Sequence, residues 1–505
     1  QEVLGVKQVG IRDDFFKLGG DSIQSILVSS RLSRIGLHCK VKDIFTYRTI
    51  ERLLPNLKQE SRAKAEQDIL TGEFKLLPIQ QWFMDKKFSN PNHWNQSFMV
   101  KVPRLDINKL QLLLPTLINH HDMLRVRFLE NTQVYLKEID TPQIKHIDFN
   151  DLTDELLTSL QSSFDIHQGP LWSMAYIDNY PDGSARIYFA LHHLIIDAVS
   201  WRILIEDIKT LYQGQTLTDK TTSYRQWCEC FPESDYNWDE QLTDTSLPQL
   251  IEKTQYANIG FDAITTDTLL KQSHHAYHTE INDLLLASLS LALKDWLGND
   301  EYSICLEGHG RQEINDLDVS RTLGWFTSIY PVKLKAQQSL KDTICGIKEN
   351  LRSIPNKGLG FKDTNKLNPI SFNYLGQFDS AEGNWQVVSE SSGQTQDLKN
   401  HEAYLLNING MLIDGQLQFH VQTDAACNLD EFCTYFQKHL EAIVEHCVAQ
   451  TPHFTPSDFN APISQTLLDT LGSDIQAIYP ANSLQQGFIY HVLSNPDGDA
   501  YRMQQ

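Results

Sequence analysis

Residues 185–205 read ARIYFALHHLIIDAVSWRILI, and they limit the fold more than any other stretch of the chain. An apolar run ends in His192 and His193. Asp197 follows after three residues, and a second apolar run begins with helical spacing. Neighbouring side chains of a strand point to opposite faces. Ile187, Phe189, Leu191 and His193 then share one face, and Tyr188, Ala190 and His192 the other. Two adjacent histidines on a regular strand cannot both face one substrate, so one of them is expected to be structural. Beyond Asp197, Val199, Ile203 and Leu204 mark the buried side of a helix, with Trp201 near its start.

The residue types admit three roles for this stretch. Two imidazoles and a carboxylate within six residues could ligate a metal, although the histidines diverge and no further ligand pattern accompanies them. One histidine and the aspartate could be hydrogen-bonded core groups. A histidine, with a free pKa near ~6.5, could serve as a general base. A second strand, Tyr302–Glu307, runs into Gly308-His309-Gly310-Arg311. Its alternation sets Ser303, Cys305 and Glu307 opposite Tyr302, Ile304 and Leu306.

The 505 residues suggest about three domains. Residues 1–57 read as a small helical domain: Ile23, Ile26 and Leu27 have helical spacing, and Gly36 is placed to end that helix. Residues 58–72, with KQESRAKAEQD, read as a charged linker. Residues 73–235 and 236–454 alternate strands with helices, as two α/β sandwich lobes of an α+β protein do. The pattern predicts a helix over 107–121, paired strands over 126–138 and a buried helix over 281–296. It also predicts a hairpin around Asp414-Gly415 and a closing helix over 429–448. Within 455–505, Tyr479-Pro480 and Leu484 to Phe488 loosely repeat Leu77 to Phe83, as a linker and the truncated start of a related domain would.

A net charge of −21 argues against nucleic acid and anionic membrane surfaces as partners. No apolar run approaches the ~20 residues of a membrane helix. Eight scattered cysteines, with Cys228 and Cys230 two apart, match neither zinc nor thioredoxin spacing, and a cytoplasmic protein without metal or disulfides is expected.

Ser22 lies where the first helix begins, so it could be a plain N-cap, or it could present an attached anion to the helix N-terminus. Residues 14–23, DFFKLGGDSI, resemble the attachment motif of peptidyl carrier proteins from nonribosomal peptide synthetases. The resemblance implies a four-helix carrier whose Ser22 bears 4′-phosphopantetheine, with an aminoacyl or peptidyl thioester on its thiol. Asp21, where other carriers have histidine, resembles carriers placed upstream of an epimerization domain.

The remainder is similar to the condensation-domain superfamily, and within it to epimerization domains. The motifs are PIQQWF (78–83), HHLIIDAVSW (192–201), NDLLLA (282–287), EGHGRQ (307–312), RTLGWFTSIYP (321–331), PNKGLGF (355–361) and FNYLGQ (372–377). The resemblance implies two chloramphenicol-acetyltransferase-like lobes in a V. It implies proton transfer at an α-carbon by His193 on one face and Glu307 on the other, because inversion needs acid/base groups on both sides. Asn373 and Tyr374 would assist at the enolate oxygen or in proton delivery. His192, Asp197, Arg311 and Trp201 would be structural, with Asp197 paired to an arginine such as Arg125 or Arg127, and His309 would either tune Glu307 or satisfy a turn. A phosphopantetheinyl transferase, an upstream adenylation domain and a downstream condensation domain are the implied partners. The chain departs from the family pattern in three places: Ala198 for glycine, Gln312 for glutamate, and Phe361-Lys362 for tyrosine–glycine. Peptide-bond formation, or carrier binding without catalysis, are the rival activities.

Overall fold

The computed structural model describes residues 1–57, 65–243, 248–312, 314–377, 384–400, 402, 404–413, 415–459, 461–471, 475 and 477–494. Residues 58–64 of the expected linker, the hairpin residue Asp414 and residues 495–505 therefore lie outside the described residues.

The first 57 residues hold α1 (Ser22–Arg34), α2 (Val41–Tyr47), α3 (Ile50–Leu53) and a 3₁₀ turn, where the resemblance implies four helices. Asp21 starts α1 with a reciprocal cap. Its carboxylate accepts from the Gln24 backbone N at 2.7 Å, and the Gln24 side chain accepts from the Asp21 N at 3.1 Å. Gly36, at φ +76°, ends the helix as expected. Gly20 is required by packing, because a Cβ there would overlap the Phe15 ring.

The first lobe is built on a five-stranded sheet. After β1 (Gly72–Lys75) and α4 (Pro78–Asp85) come β2 (Asn95–Val102), α5 (Ile107–His120), β3 (Val126–Phe128) and β4 (Thr132–Tyr135). Then follow β5 (Lys145–Asp148), α6 (Asp154–Gln161), β6 (Trp172–Asp178), β7 (Ala185–His192), α7 (Ala198–Tyr212) and α8 (Tyr224–Glu229). β3 and β4 pair antiparallel, as the sequence predicts, and join β1 in a small separate sheet. All eight residues of β7 are buried, which suits a strand flanked by β2 and β6 and covered on both faces. Leu110, Leu114 and Leu117 of α5 and Val199, Ile203 and Leu204 of α7 share its core.

The second lobe contains β8 (Leu250–Gly260), α9 (Ala263–Lys271), α10 (Ile281–Leu297), β9 (Glu301–Gly308), β10 (Ser328–Lys335), α11 (Leu340–Ser353) and β11 (Ile370–Gln377). After β12 (Gln386–Val388) it continues with β13 (Leu406–Ile413), β14 (Gln416–Ala425) and α12 (Leu429–Ala449). Its six strands run in the order β10-β9-β11-β13-β14-β8, with β11 parallel to both β9 and β13. The predicted hairpin is β13–β14, Ile413 opposite Gln416. Leu284 to Leu293 of α10 are buried all round, as a helix apolar on every side must be.

The two halves of the sequence interpenetrate. β12 leaves the second half and pairs antiparallel with β2 of the first, Val387 opposite Val100. Leu317, Leu323, Trp325 and Phe326 also sit in the first lobe's core. The tail forms α13 (Gln465–Leu468) and α14 (Ser483–Ser494), the latter with Leu484, Ile489 and Leu493 exposed.

Candidate active site

β7 ends at His192, and His193 opens a 3₁₀ turn. The regular alternation expected through His193 therefore stops one residue early, and the turn, not the strand, aims the second ring. His192 is fully buried. Its Nε2 donates to the Pro91 carbonyl at 2.8 Å and its Nδ1 accepts from the Leu194 N at 3.2 Å. Both nitrogens are thus committed, and burial lowers its pKa to about 3, which keeps it neutral. His193 donates from Nδ1 to the Ile196 carbonyl at 3.1 Å, leaving Nε2 as a lone pair that faces the Gln96 amide nitrogen at 2.8 Å. Its ring packs 4.3 Å from that of Trp325. Burial pulls its pKa down to about 4.

Asp197 caps α7, accepting from the Ser200 N and Oγ at 2.7 Å each. Ala198, the first helical residue, needs no unusual backbone angle. The partner of Asp197 is Arg311, not Arg125 or Arg127. The guanidinium reaches both carboxylate oxygens at 3.0 Å, donates to the Val319 and Thr322 carbonyls at 2.7 and 2.9 Å, and lies 4.0 Å over the Phe326 ring. Arg125 is instead committed to Asp122 and to the carbonyls of Leu70, Ile118 and Leu136 at the end of α5. Trp201 packs on Phe98, centroids 4.7 Å apart. His309 accepts from the Arg311 N at 3.0 Å, which makes it part of the turn that presents Arg311.

β9 follows its alternation. Tyr302, Ile304 and Leu306 enter the second core, while Cys305 and Glu307 face a chamber of about 300 Å³ between the lobes. His193 and Trp82 line that chamber from the first lobe. Asn373 donates from Nδ2 to Glu307 Oε2 at 3.0 Å. Burial, reinforced by the nearby Glu402 carboxylate, pushes the Glu307 pKa up to about 7. Glu402 is bonded by Lys86 and by the Tyr404 hydroxyl.

Sequence reasoning misses Gln96, Lys86, Glu402 and Tyr404, which lie outside the recognisable motifs. Tyr374 is not brought to Glu307. As the strand neighbour of Asn373 it points the other way, into a second cavity of about 610 Å³ shared with Asp21 and Ser22. Burial raises its phenol pKa.

This second cavity fits a pantetheine arm. Ser22 stands on it at the N-terminus of α1, where unpaired N–H groups favour an anion. Thr279 Oγ1 and Asn282 Oδ1 also line it, and both are buried without a hydrogen-bond partner among the described residues. Such groups suit the amides of an entering arm.

A serine-bearing helical unit set against two sandwich lobes, with a histidine and a carboxyl in the cleft, defines the class. Residues 71–460 match the Condensation domain family and residues 1–54 the Phosphopantetheine attachment site family. The chain belongs to the condensation-domain family of nonribosomal peptide synthetases, here preceded by a carrier. It is 36% identical over 523 aligned positions to tyrocidine synthase 2 of Brevibacillus parabrevis, covering 90% of this chain and 14% of that protein. It is also 35% identical to gramicidin S synthase 1 of Brevibacillus brevis, covering 91% of this chain and 48% of that protein. The chain thus spans less than half the length of either relative. Among solved structures, the epimerization domain from the third module of tyrocidine synthetase B superposes with a TM-score of 0.66 at 32% identity, over 77% of this chain and 99% of that one. The first condensation domain of the CDA synthetase, at 15% identity and a TM-score of 0.53 over 75% of this chain and 97% of that one, shares the fold. Among the described residues no helix is long and apolar enough to cross a membrane.

Proposed function

We propose that the chain inverts the α-carbon of an aminoacyl or peptidyl group carried as a thioester on Ser22. One observation carries the reading. His193 and Glu307 come from different lobes and face one chamber, where burial holds His193 neutral and pushes the Glu307 pKa up to about 7. His193 is neutral, its Nε2 lone pair accepting from Gln96 until substrate displaces that amide, and Glu307 holds its proton below about pH 7. The 4′-phosphopantetheine on Ser22 supplies a long arm and the thioester linkage that acidifies the α-proton. His193 Nε2 takes that proton from one face, and Glu307 returns its own proton to the opposite face. Gln96 and the Nδ1 bond to Ile196 fix the histidine ring, and Asn373 fixes the carboxyl. The reverse conversion uses the same groups after the proton has changed sides, so the product is an equilibrium mixture of L and D forms.

The implied partners follow from this chemistry: a phosphopantetheinyl transferase to modify Ser22, an upstream adenylation domain to load it, and a downstream condensation domain to accept the product. The rival, peptide-bond formation, requires an acceptor amine and gives Glu307 no task. The test is deuterium exchange at the α-carbon of a loaded chain in D₂O with no acceptor present. Exchange accompanied by loss of chirality is expected. Retention of the α-proton and of chirality, with peptide formed once an acceptor is added, would sink the epimerase reading.

A further inference from the structure

The RTLGW segment begins with Arg321, a buried arginine that lies outside the chamber and that the proton-transfer chemistry does not use. Its Nη1 reaches Ser30 Oγ of the carrier helix α1 at 3.0 Å and Glu206 Oε2 of α7 at 3.1 Å, while Nη2 bonds Asp207. Asp207 is also bonded by His121 at 2.9 Å, so the guanidinium is fixed from behind. Glu206 in turn takes Arg31, the next residue of α1, whose Nε and Nη2 each lie 3.2 Å from Oε1. Arg31 additionally contacts Glu2, at 3.1 Å.

Three further contacts extend the same bed. Ile26 of α1 is 1% exposed and belongs to the first lobe's hydrophobic core. Lys40 pairs with Asp316 at 2.9 Å. At the start of α1, Gly376 lies so close to the carrier that a Cβ would stand 2.6 Å from the Asp21 carboxylate.

We infer that α7 and residues 314–321 form a recognition surface for the carrier helix, in which Glu206 and Arg321 read Arg31 and Ser30. The partner it fits is a carrier domain with an apolar residue at position 26, a small hydroxyl residue at 30 and a cation at 31. Arg321 and Glu206 are positioning residues: they place Ser22 over its cavity and touch neither substrate nor arm. The contact is partly exposed and charged, which gives specificity and a modest strength. A carrier that must leave for other domains requires that combination. The inference rests on the epimerase reading only in its choice of activity readout, so docking is also measured without activity.

The test uses the full chain as Arg31→Ala, Glu206→Ala and the double variant. Zero-length carbodiimide coupling of Lys40 to Asp316, quantified by mass spectrometry, reports docking directly. Each single variant is expected to lower both the coupling yield and the α-proton exchange rate by about threefold to tenfold. Because the two side chains act on each other, the double variant should be no worse than the poorer single one. Loading by the transferase and the unfolding midpoint should not change. An unchanged coupling yield in Arg31→Ala, or losses that multiply in the double variant, overturns the assignment whatever the exchange rate does. A wild-type chain that exchanges no α-proton, while its coupling yield still depends on Arg31, would remove the epimerase reading and leave the docking surface standing.

Discussion

Asp197 and Arg311 form a two-oxygen ion pair, both contacts 3.0 Å, between the residue that caps α7 and the arginine of the Glu307 motif. Both side chains are buried, at 7% and 1% exposure. The pair therefore joins the loop that aims His193 to the loop that follows Glu307.

Breaking this pair leaves a buried guanidinium without its counter-charge, a change that typically costs about 3–5 kcal/mol. Asp197→Ala should lower the urea midpoint accordingly, and Asp197→Asn, which keeps a capping oxygen, should lower it less. Equal midpoints for Asp197→Ala and the parent would show that the pair does not hold the loops together.

Removing one proton-transfer group at a time should separate exchange from inversion. His193→Ala and Glu307→Gln should each slow inversion by about 10²–10⁴-fold. The group left behind can still remove and replace a proton on its own face. Each variant should therefore exchange deuterium into only one enantiomer, with retention, and the two variants should choose opposite enantiomers. Chiral analysis of released, labelled substrate checks this.

The pH profile follows from the held protonation states. His193 is pulled down to about 4 and Glu307 pushed up to about 7. The pair holds one proton between these values, none above about 7 and two below about 4. Both directions of inversion need the singly protonated pair, so L-to-D and D-to-L rates should share one bell. A single-turnover rate that keeps rising to about pH 9 would contradict the assignment.

Two substitutions should move the alkaline limb of that bell in opposite directions. Asn373→Ala removes a hydrogen bond to the Glu307 carboxylate, which disfavours ionisation and shifts the limb to higher pH. Glu402→Gln removes the neighbouring negative charge and shifts it to lower pH. Tyr374→Phe, in the other cavity, should leave the limb in place.

Ser22→Ala should abolish the mass gain on treatment with a phosphopantetheinyl transferase and coenzyme A, with α1 intact because Asp21 is its cap. Any gain on the variant would place the attachment elsewhere.

The parts of this architecture visible in the sequence are those governed by local periodicity. Alternation along β9 puts Glu307 opposite the core residues Leu306 and Ile304, and the spacing after Asp197 outlines α7. The same rule fails at the end of β7, because the chain turns at His193 and a period of two no longer applies there. It also sets Asn373 and Tyr374 on opposite faces in principle, yet their shared motif groups them at one site. Contacts between distant segments leave no local trace. Gln96 meets His193 across paired strands, Glu402 arrives from a loop beyond β11, and Arg311, not a nearer arginine, reaches Asp197. Gly310 is a residue whose reason only the packing supplies: at a φ of +65°, any Cβ would collide with the Phe326 carbonyl.

β12 has a mechanical meaning beyond its place in the sheet. By pairing with β2 it occupies what would otherwise be a bare row of amide and carbonyl groups, an adhesive margin in any sheet. A gene cut at residue 235 would expose that margin, and its product should self-associate. The lobes are also laced together by the polypeptide running out to β12 and back, in addition to the covalent link between them. Pulling the lobes apart would therefore require unpairing β12 from β2 as well as straining the covalent link.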